Sequence, residues 1–247
     1  MVRPKRNQQH PNLEGALKES AREQIAERGA AALSLQGIAR ELGITAPAIY
    51  NYFSNRDELV TALIVDAYHS LAAALAEASD GNRGNLDDHA ANITAVANAY
   101  RAWALTHAEE YALIFGTPIP DYHAPMDVTG PAAAESMSVL IQVLDAVYRD
   151  GKLELGELTP ALGEMLRPWN EVLEYAGPPG VICLALACWA QIHGLVSLEL
   201  FGHLSIDPEP GAVEPFFEFE IQAMLARIKV QAASATFTDV MVRKGIY

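Results

Sequence analysis

Two helical runs that are each too short to survive alone lie between Ser34 and Phe53, separated only by Gly43-Ile44-Thr45. Isolated helices below about 12 residues are marginal in water, so these two must pack on each other and on a third element. Ser34 is a natural N-cap for the first run, and Leu35, Ile38, Ala39 and Leu42 give it one apolar face before Gly43 ends it. Thr45 can cap the second run, whose first turn tolerates Pro47 because early helical N–H groups have no intrahelical partner. The third element precedes them: Leu13, Leu17, Ala21 and Ile25 recur every fourth residue up to Gly29, which predicts an amphipathic helix with a glycine C-cap. Ser54-Asn55-Arg56-Asp57 then reads as a capping box that opens a long helix over 55–78.

Downstream, helical runs alternate with breaks. The pattern predicts helices over 87–106, 108–115, 132–148, 160–175, 181–203 and 213–230, with a break at 80–84. Pro118, Pro120, Pro125 and Gly130 mark 116–131 as a loop long enough to serve as a lid. No convincing strand pattern or internal repeat is present, and 51% hydrophobic content fills a real core. The expected fold is all-α: a three-helix helix-turn-helix domain over 1–60, joined by the long fourth helix to a larger helical domain over 61–247. The stretch 181–190 is apolar without interruption, but Gln191 and His193 end it short of the roughly 18–20 residues a membrane span needs. A helix buried in a core or between subunits is expected there, not a membrane segment. Cys183 and Cys188, five apart on one helix, point in different directions and cannot meet disulfide geometry. Arg3, Lys5 and Arg6 are followed by polar residues, unlike a secretory signal, so a cytoplasmic location is expected.

A formal net charge of −14 argues by itself against a polyanionic partner. Its distribution reverses that argument. Of 17 bases and 31 acids, eight and seven fall in residues 1–60; the remaining nine bases and 24 acids give 61–247 a net charge of −15. The acidity belongs to the C-terminal part, and the N-terminal head is electrostatically free to approach phosphate within a Debye length.

Packing through Leu35, Ile38, Leu42, Ile44, Ile49 and Phe53 leaves one face of the third helix outward, with Ala46, Pro47, Tyr50 and Asn51 on it and Tyr52 near its end. These residue types suit the major groove of double-stranded DNA. Small side chains at Ala46 and Ala48 allow close approach, Tyr50 and Tyr52 offer hydroxyls to phosphate, and Asn51 can read a base edge. Ser34 and Thr45 add hydroxyls at helix starts, and Arg56 places a cation at the opening of the next helix. The arm carrying Arg3, Lys5 and Arg6 can follow phosphates or enter a minor groove.

The run Leu33-Ser34-Leu35-Gln36-Gly37-Ile38-Ala39-Arg40-Glu41-Leu42-Gly43-Ile44-Thr45-Ala46-Pro47-Ala48-Ile49-Tyr50-Asn51-Tyr52-Phe53-Ser54-Asn55-Arg56-Asp57-Glu58-Leu59 resembles the DNA-binding signature of the tetracycline-repressor (TetR) family of bacterial regulators, over about 12–60 with the first helix included. In that family a Lys is common where Arg56 stands and a His where Tyr52 stands. A second stretch, Trp189-Ala190-Gln191-Ile192-His193-Gly194-Leu195-Val196-Ser197-Leu198-Glu199, resembles the Trp-His-Gly subgroup of the family's C-terminal domains. The resemblance implies a homodimer held by the last two long helices, with His193, Gly194, Leu195 and Leu198 on one and Phe217, Ile221 and Leu225 on the other. It also implies a small-molecule effector in the C-terminal domain, and a repressor released from a palindromic operator.

The residues themselves supply an aromatic set suited to an apolar cavity: Trp103, His107, Tyr111, Phe115, Tyr122, Trp169, Tyr175 and Trp189. His193 and Gly194 read as close helix packing, with Gly allowing near approach and His finding a polar partner. His107 and Glu110 lie three apart on one helical face, yet no phosphate loop, nucleophile elbow or cofactor fingerprint accompanies them, so neither catalysis nor a cofactor is expected. No His, Cys or carboxylate positions recur at metal-ligand spacing. The alternatives to a regulator are a helical enzyme and a partner-binding scaffold that keeps the helix-turn-helix only as structure.

Overall fold

The first helix begins and ends on the residues that backbone chemistry selects. In α1 (Leu13–Arg28) the Asn12 side chain accepts the Gly15 amide at 3.0 Å, and Gly29, at φ 77°, donates its N–H to the Ile25 carbonyl. The computed structural model describes residues 12–81, 89–204 and 211–232. After a 3-10 turn at Ala30–Ala32 come α2 (Leu35–Glu41), N-capped by Ser34, and α3 (Ala46–Tyr50), which carries Pro47 in its first turn. Gly43, at φ 62°, supplies the left-handed bend between them. The helix then opening, α4 (Arg56–Gly81), has a capping box displaced by one residue from the usual reciprocal pair: Asn55 Oδ1 accepts the Glu58 amide at 2.9 Å, while the Glu58 carboxylate reaches back to the Ser54 amide at 2.7 Å and to its hydroxyl. These bonds to Ser54 hold the Glu58 carboxyl below the usual carboxylate range.

Among the described residues six helices follow: α5 (His89–Thr106), α6 (Ala108–Phe115), α7 (Met126–Arg149), α8 (Pro160–Leu173), α9 (Pro179–Leu200) and α10 (Glu214–Ala232). The largest departure from expectation is the start of α7. The loop predicted over 116–131 ends at Pro125, and Gly130 and Pro131 lie inside the helix. Thr129 closes the first turn, its amide on the Pro125 carbonyl at 2.9 Å and its hydroxyl on the same oxygen at 3.1 Å. Pro131 therefore costs the helix one ladder bond near its beginning instead of breaking it.

The described helices belong to two compact units, one comprising Met1–Tyr68 with His107–Gly130 and the other His69–Thr106 with Pro131–Tyr247. Instead of a single cut at residue 60, the division falls within α4, and α6 with its following loop belongs to the first unit. That unit is built on Leu17, Ala21, Ile38, Ile49, Phe53 and Leu63, with Leu113, Ile114, Ile119 and Tyr122 packed on the same cluster. Arg22 of α1 reaches Glu110 of α6 at 3.5 Å, and Tyr122 shares a hydrogen bond with Thr61 of α4 at 2.9 Å.

In the second unit α9 packs against α5, α8 and α10. Arg101 of α5 and Glu199 of α9 form a fork-to-fork pair at 2.7 and 2.6 Å, and the hydrogen bonds to Glu199 raise the Arg101 pKa. By length and composition α4 and α9 are each apolar enough to cross a membrane. Gln191 and His193 sit mid-helix in α9, as the helix predicted over 181–203 implies, and both are satisfied by the chain itself. Gln191 donates to the Glu220 carbonyl at 3.2 Å, and Nδ1 of His193 meets the Tyr100 hydroxyl at 3.0 Å. Cys183 and Cys188 are free thiols, and burial pushes Cys188 up to about 12.

Candidate nucleic-acid interface

The reading head is a short helix pinned from behind. Ile49 is 1% exposed and Phe53 4%, both in the shared cluster, and the Tyr52 and Phe53 amides still bond the Ile49 carbonyl at 2.8 and 3.0 Å. Burying two such side chains contributes about 1.5–3 kcal/mol each, ample to hold a five-residue helix that has no stability of its own. Around this anchor Thr45, Pro47, Tyr50, Asn51 and Tyr52 are exposed, with Ala46 and Ala48 half-buried. Every residue predicted for the third-helix face thus keeps access to solvent. Ser34 is also exposed, its hydroxyl accepting the Gly37 amide at 3.2 Å as the cap of α2. Arg3, Lys5 and Arg6 lie outside the described residues.

Polar residues that periodicity alone passes over set the angle at which α2 meets α1. Gln24 is 3% exposed; its Nε2 donates to Glu41 at 3.0 Å while its Oε1 accepts the Ser34 amide at 3.2 Å. Ser20, also buried, donates to the same Glu41 oxygen at 2.7 Å, and these two bonds hold the Glu41 carboxyl low. Gly37 faces this network: a Cβ there would lie 2.8 Å from Gln24 Nε2. The signal was present as small and polar residues on otherwise apolar helix faces, but a pattern that sorts residues only into apolar and polar discards it. Arg40 was missed as well. It is exposed on the last turn of α2 and forms no ion pair among the described residues, and the first helix of a helix-turn-helix crosses the phosphate backbone.

Arg56, expected at a phosphate, is engaged within the chain. Its Nη2 donates to the Ala30 carbonyl at 2.7 Å, its Nη1 lies 3.6 Å from Asp57, and its Nε is buried without a partner. The guanidinium is thus half-buried, with one edge bonded within the chain and its Nη1 edge nearer solvent.

The aromatic set named as suited to a cavity is divided between the two units. His107, Tyr111, Phe115 and Tyr122 belong to the first unit, where Tyr111 is fully buried against Phe115, their centroids 5.1 Å apart. All four lie in the unit to which α6 belongs, and Tyr122 lines an open cleft there with Thr61, Ala62 and Val65. Trp103, Trp169, Tyr175 and Trp189 belong to the second unit. Trp103 is buried with its indole N–H on Ser70 at 3.0 Å, Tyr175 donates to Asp145 at 2.5 Å, and Trp169 is half-buried on α8. Trp189 stacks on His193 at 5.1 Å and lines a narrow cleft of about 30 Å³ with Leu75, Val96, Tyr100, Met137 and Ile192. Burial lowers the His193 pKa, so its imidazole is held neutral beside that cleft.

The expected dimer residues divide by helix. On α9, Leu198 is 43% exposed, His193 and Leu195 are half-buried, and a Cβ at Gly194 would meet nothing within 4 Å, so Gly194 permits no close approach within the chain. On α10 the expectation fails by rotation. Phe217, Ile221 and Leu225 are 1%, 1% and 5% exposed and face the chain's own core, with the Arg101 guanidinium 5.4 Å over the Phe217 ring. Phe216 and Phe219, at 46% and 66%, face outward instead.

Comparison with known proteins meets this geometry at both ends of the chain. Residues 17–63 match the family described as bacterial regulatory proteins, tetR family, and residues 93–224 match the tetracyclin repressor-like C-terminal domain. The HTH-type transcriptional regulator Rv1816 of Mycobacterium tuberculosis is 36% identical over 214 residues, covering 85% of this chain and 90% of that protein. The regulator Mb1846 of Mycobacterium bovis matches equally, at 36% over 214 residues. Among solved structures, that of a regulatory protein, SCO4313, is 36% identical with a TM-score of 0.72, covering 90% of this chain and 98% of that one. A protein of unknown function from Rhodococcus sp. RHA1, 24% identical, shares the fold with a TM-score of 0.68 over 92% of this chain and all of its own. With the reading helix exposed on its scaffold and both domains matched, the chain belongs to the TetR family and is a helix-turn-helix transcriptional regulator, not an enzyme.

Proposed function

We propose that the protein is a cytoplasmic repressor that binds a palindromic operator as a homodimer and is released by a small-molecule effector. The observation that carries the reading is the outward face of α3, where Thr45, Tyr50, Asn51 and Tyr52 stand exposed around two alanines. Two copies would place this face in successive major grooves about 34 Å apart. Ser34 and Arg40 on α2 would meet the flanking phosphates, together with the arm bearing Arg3, Lys5 and Arg6.

Dimerisation is supported by apolar surface that water disfavours: Leu198 on α9, Phe201 at its C-cap, and Phe216 and Phe219 on α10 are all more than 40% exposed. A helix as apolar as α9, of which only 33% of the most apolar stretch is buried, needs a partner to cover it. Gly194, open on this helix, gives a second copy room to approach.

The effector reading rests on the Trp189 cleft, whose lining holds no charged side chain. An ionised ligand would be left unpaired there at prohibitive cost, so the effector is an uncharged, largely apolar molecule with a hydrogen-bonding group for Tyr100 or Ser136, the hydroxyls in the lining. Met137, unbranched and flexible, is the wall residue able to yield as the cleft enlarges. Its binding would favour a dimer whose reading heads are wrongly spaced, with α4, whose residues belong to both units, carrying the change.

Selecting bound duplexes from a random pool tests the proposal. Recovery of an inverted repeat with half-sites one helical turn apart is expected; retention independent of sequence and salt would leave only a scaffold.

A further inference from the structure

Arg56 closes a circuit around the two helices that read DNA. It is the first residue of α4, next to the Asn55 that caps this helix and six residues after the end of α3, and its Nη2 reaches 26 residues back to the Ala30 carbonyl at 2.7 Å. Ala30 begins the 3-10 turn that leads through buried Leu33 to Ser34, the cap of α2. The position of this turn therefore decides where α2 starts, and α2 with α1 forms the platform for α3. A guanidinium offered to phosphate presents two adjacent N–H groups in a fork. Here the Nε of that fork is buried without an acceptor and Nη2 is already bonded, which leaves only the Nη1 edge, 3.6 Å from Asp57, near solvent.

We infer that Arg56 is a positioning residue for DNA recognition, clamping the α1–α2 connection onto the start of α4 so that α3 is held at its reading angle, and that it supplies no phosphate charge. The inference rests on the DNA-binding reading of α3. It separates from a phosphate contact because neutralising one phosphate contributes about 0.9 to the salt slope of binding, whereas a clamp contributes nothing to it. It separates from a general contribution to folding because a misaligned reading helix loses discrimination while keeping its attraction to any duplex.

The test uses the full chain, the duplex recovered by selection and a scrambled duplex of equal length, titrated from about 50 to 300 mM salt. In Arg56→Met the affinity for the selected duplex should fall by about tenfold with the slope unchanged and the scrambled duplex bound as before. Arg56→Gln has no charge, but its amide can still donate to Ala30, so it should recover part of that loss. Arg40→Gln, as control, should lower the slope by about one unit on both duplexes. Equal losses in Met and Gln with a reduced slope would make Arg56 a phosphate contact and overturn the inference. Parallel losses on both duplexes at unchanged slope, with a lowered melting temperature, would reduce it to a folding residue. If Arg56→Met does not fold, the slope of Arg56→Gln decides alone. Absence of salt-dependent binding by the wild-type chain would instead remove the DNA-binding reading, and this inference with it.

Discussion

Asn51 stands exposed one residue beyond α3, and its amide presents a donor and an acceptor together, the pair that matches the major-groove edge of adenine. Asn51→Ala should relax preference at one base pair by about 1–3 kcal/mol and leave nonspecific retention intact, as binding to single-base variants of the selected duplex would reveal. His193 carries a prediction of another kind. Its ordinary pKa of 6.5 is lowered by burial, so well above that pH both folded and unfolded chains hold it neutral. As pH falls below 6.5 the unfolded state takes up the proton first, and stability conferred at neutral pH is lost towards the folded-state value. The Glu58 and Glu41 carboxyls, also lowered, act in the same direction but from 4.5 downward, so the windows separate. His193→Gln, which does not titrate, should flatten the pH dependence of unfolding between about pH 6.5 and 5 in denaturant titrations. An unchanged slope would place the burial of His193 in doubt.

Helix ends were legible where a few adjacent residues decide them: Gly29, Ser34, Gly43 and Thr45 all stand at the boundaries that their backbone chemistry predicts. The start of α7 was not, because the pattern reads Gly130 and Pro131 as punctuation while the hydrogen bonds of Thr129 to Pro125 establish the helix ahead of them. Orientation was the harder question. Phe216, Phe217, Phe219 and Ile221 are all apolar, so α10 shows no polar face to distinguish outside from inside, and Phe217 and Ile221 turned out to be core. This contrast is testable at the level of the element. Leu198→Glu or Phe219→Glu should release folded monomers in sedimentation, whereas Phe217→Glu, which buries an unpaired carboxylate, should lower the melting temperature sharply. If Phe217→Glu gave folded monomers and Phe219→Glu an unaltered dimer, the proposed interface would be on the wrong side of α10.

A chain of net charge −14 approaches a polyanion through residues 1–60, where eight bases stand against seven acids, while 61–247 carries the remaining net charge of −15. The arm with Arg3, Lys5 and Arg6 carries three of the eight bases in residues 1–60. Removing residues 1–11 should lower the salt slope by about two to three units on any duplex and leave base preference unchanged; an unaltered slope would mean the arm contacts no phosphate. At the scale of the whole chain, local spacing was enough to establish an all-α fold, the helix-turn-helix and the outward face of α3. Those features depend on backbone donors and apolar residues within a turn or two of one another. Tertiary packing alone decided that Arg56 bonds a carbonyl 26 residues away, that α6 joins the first unit and takes Tyr111 and Phe115 with it, and that the predicted aromatics are divided between the two units. Such partners are distant in sequence, and an apolar periodicity states that a side chain will be buried without stating against what.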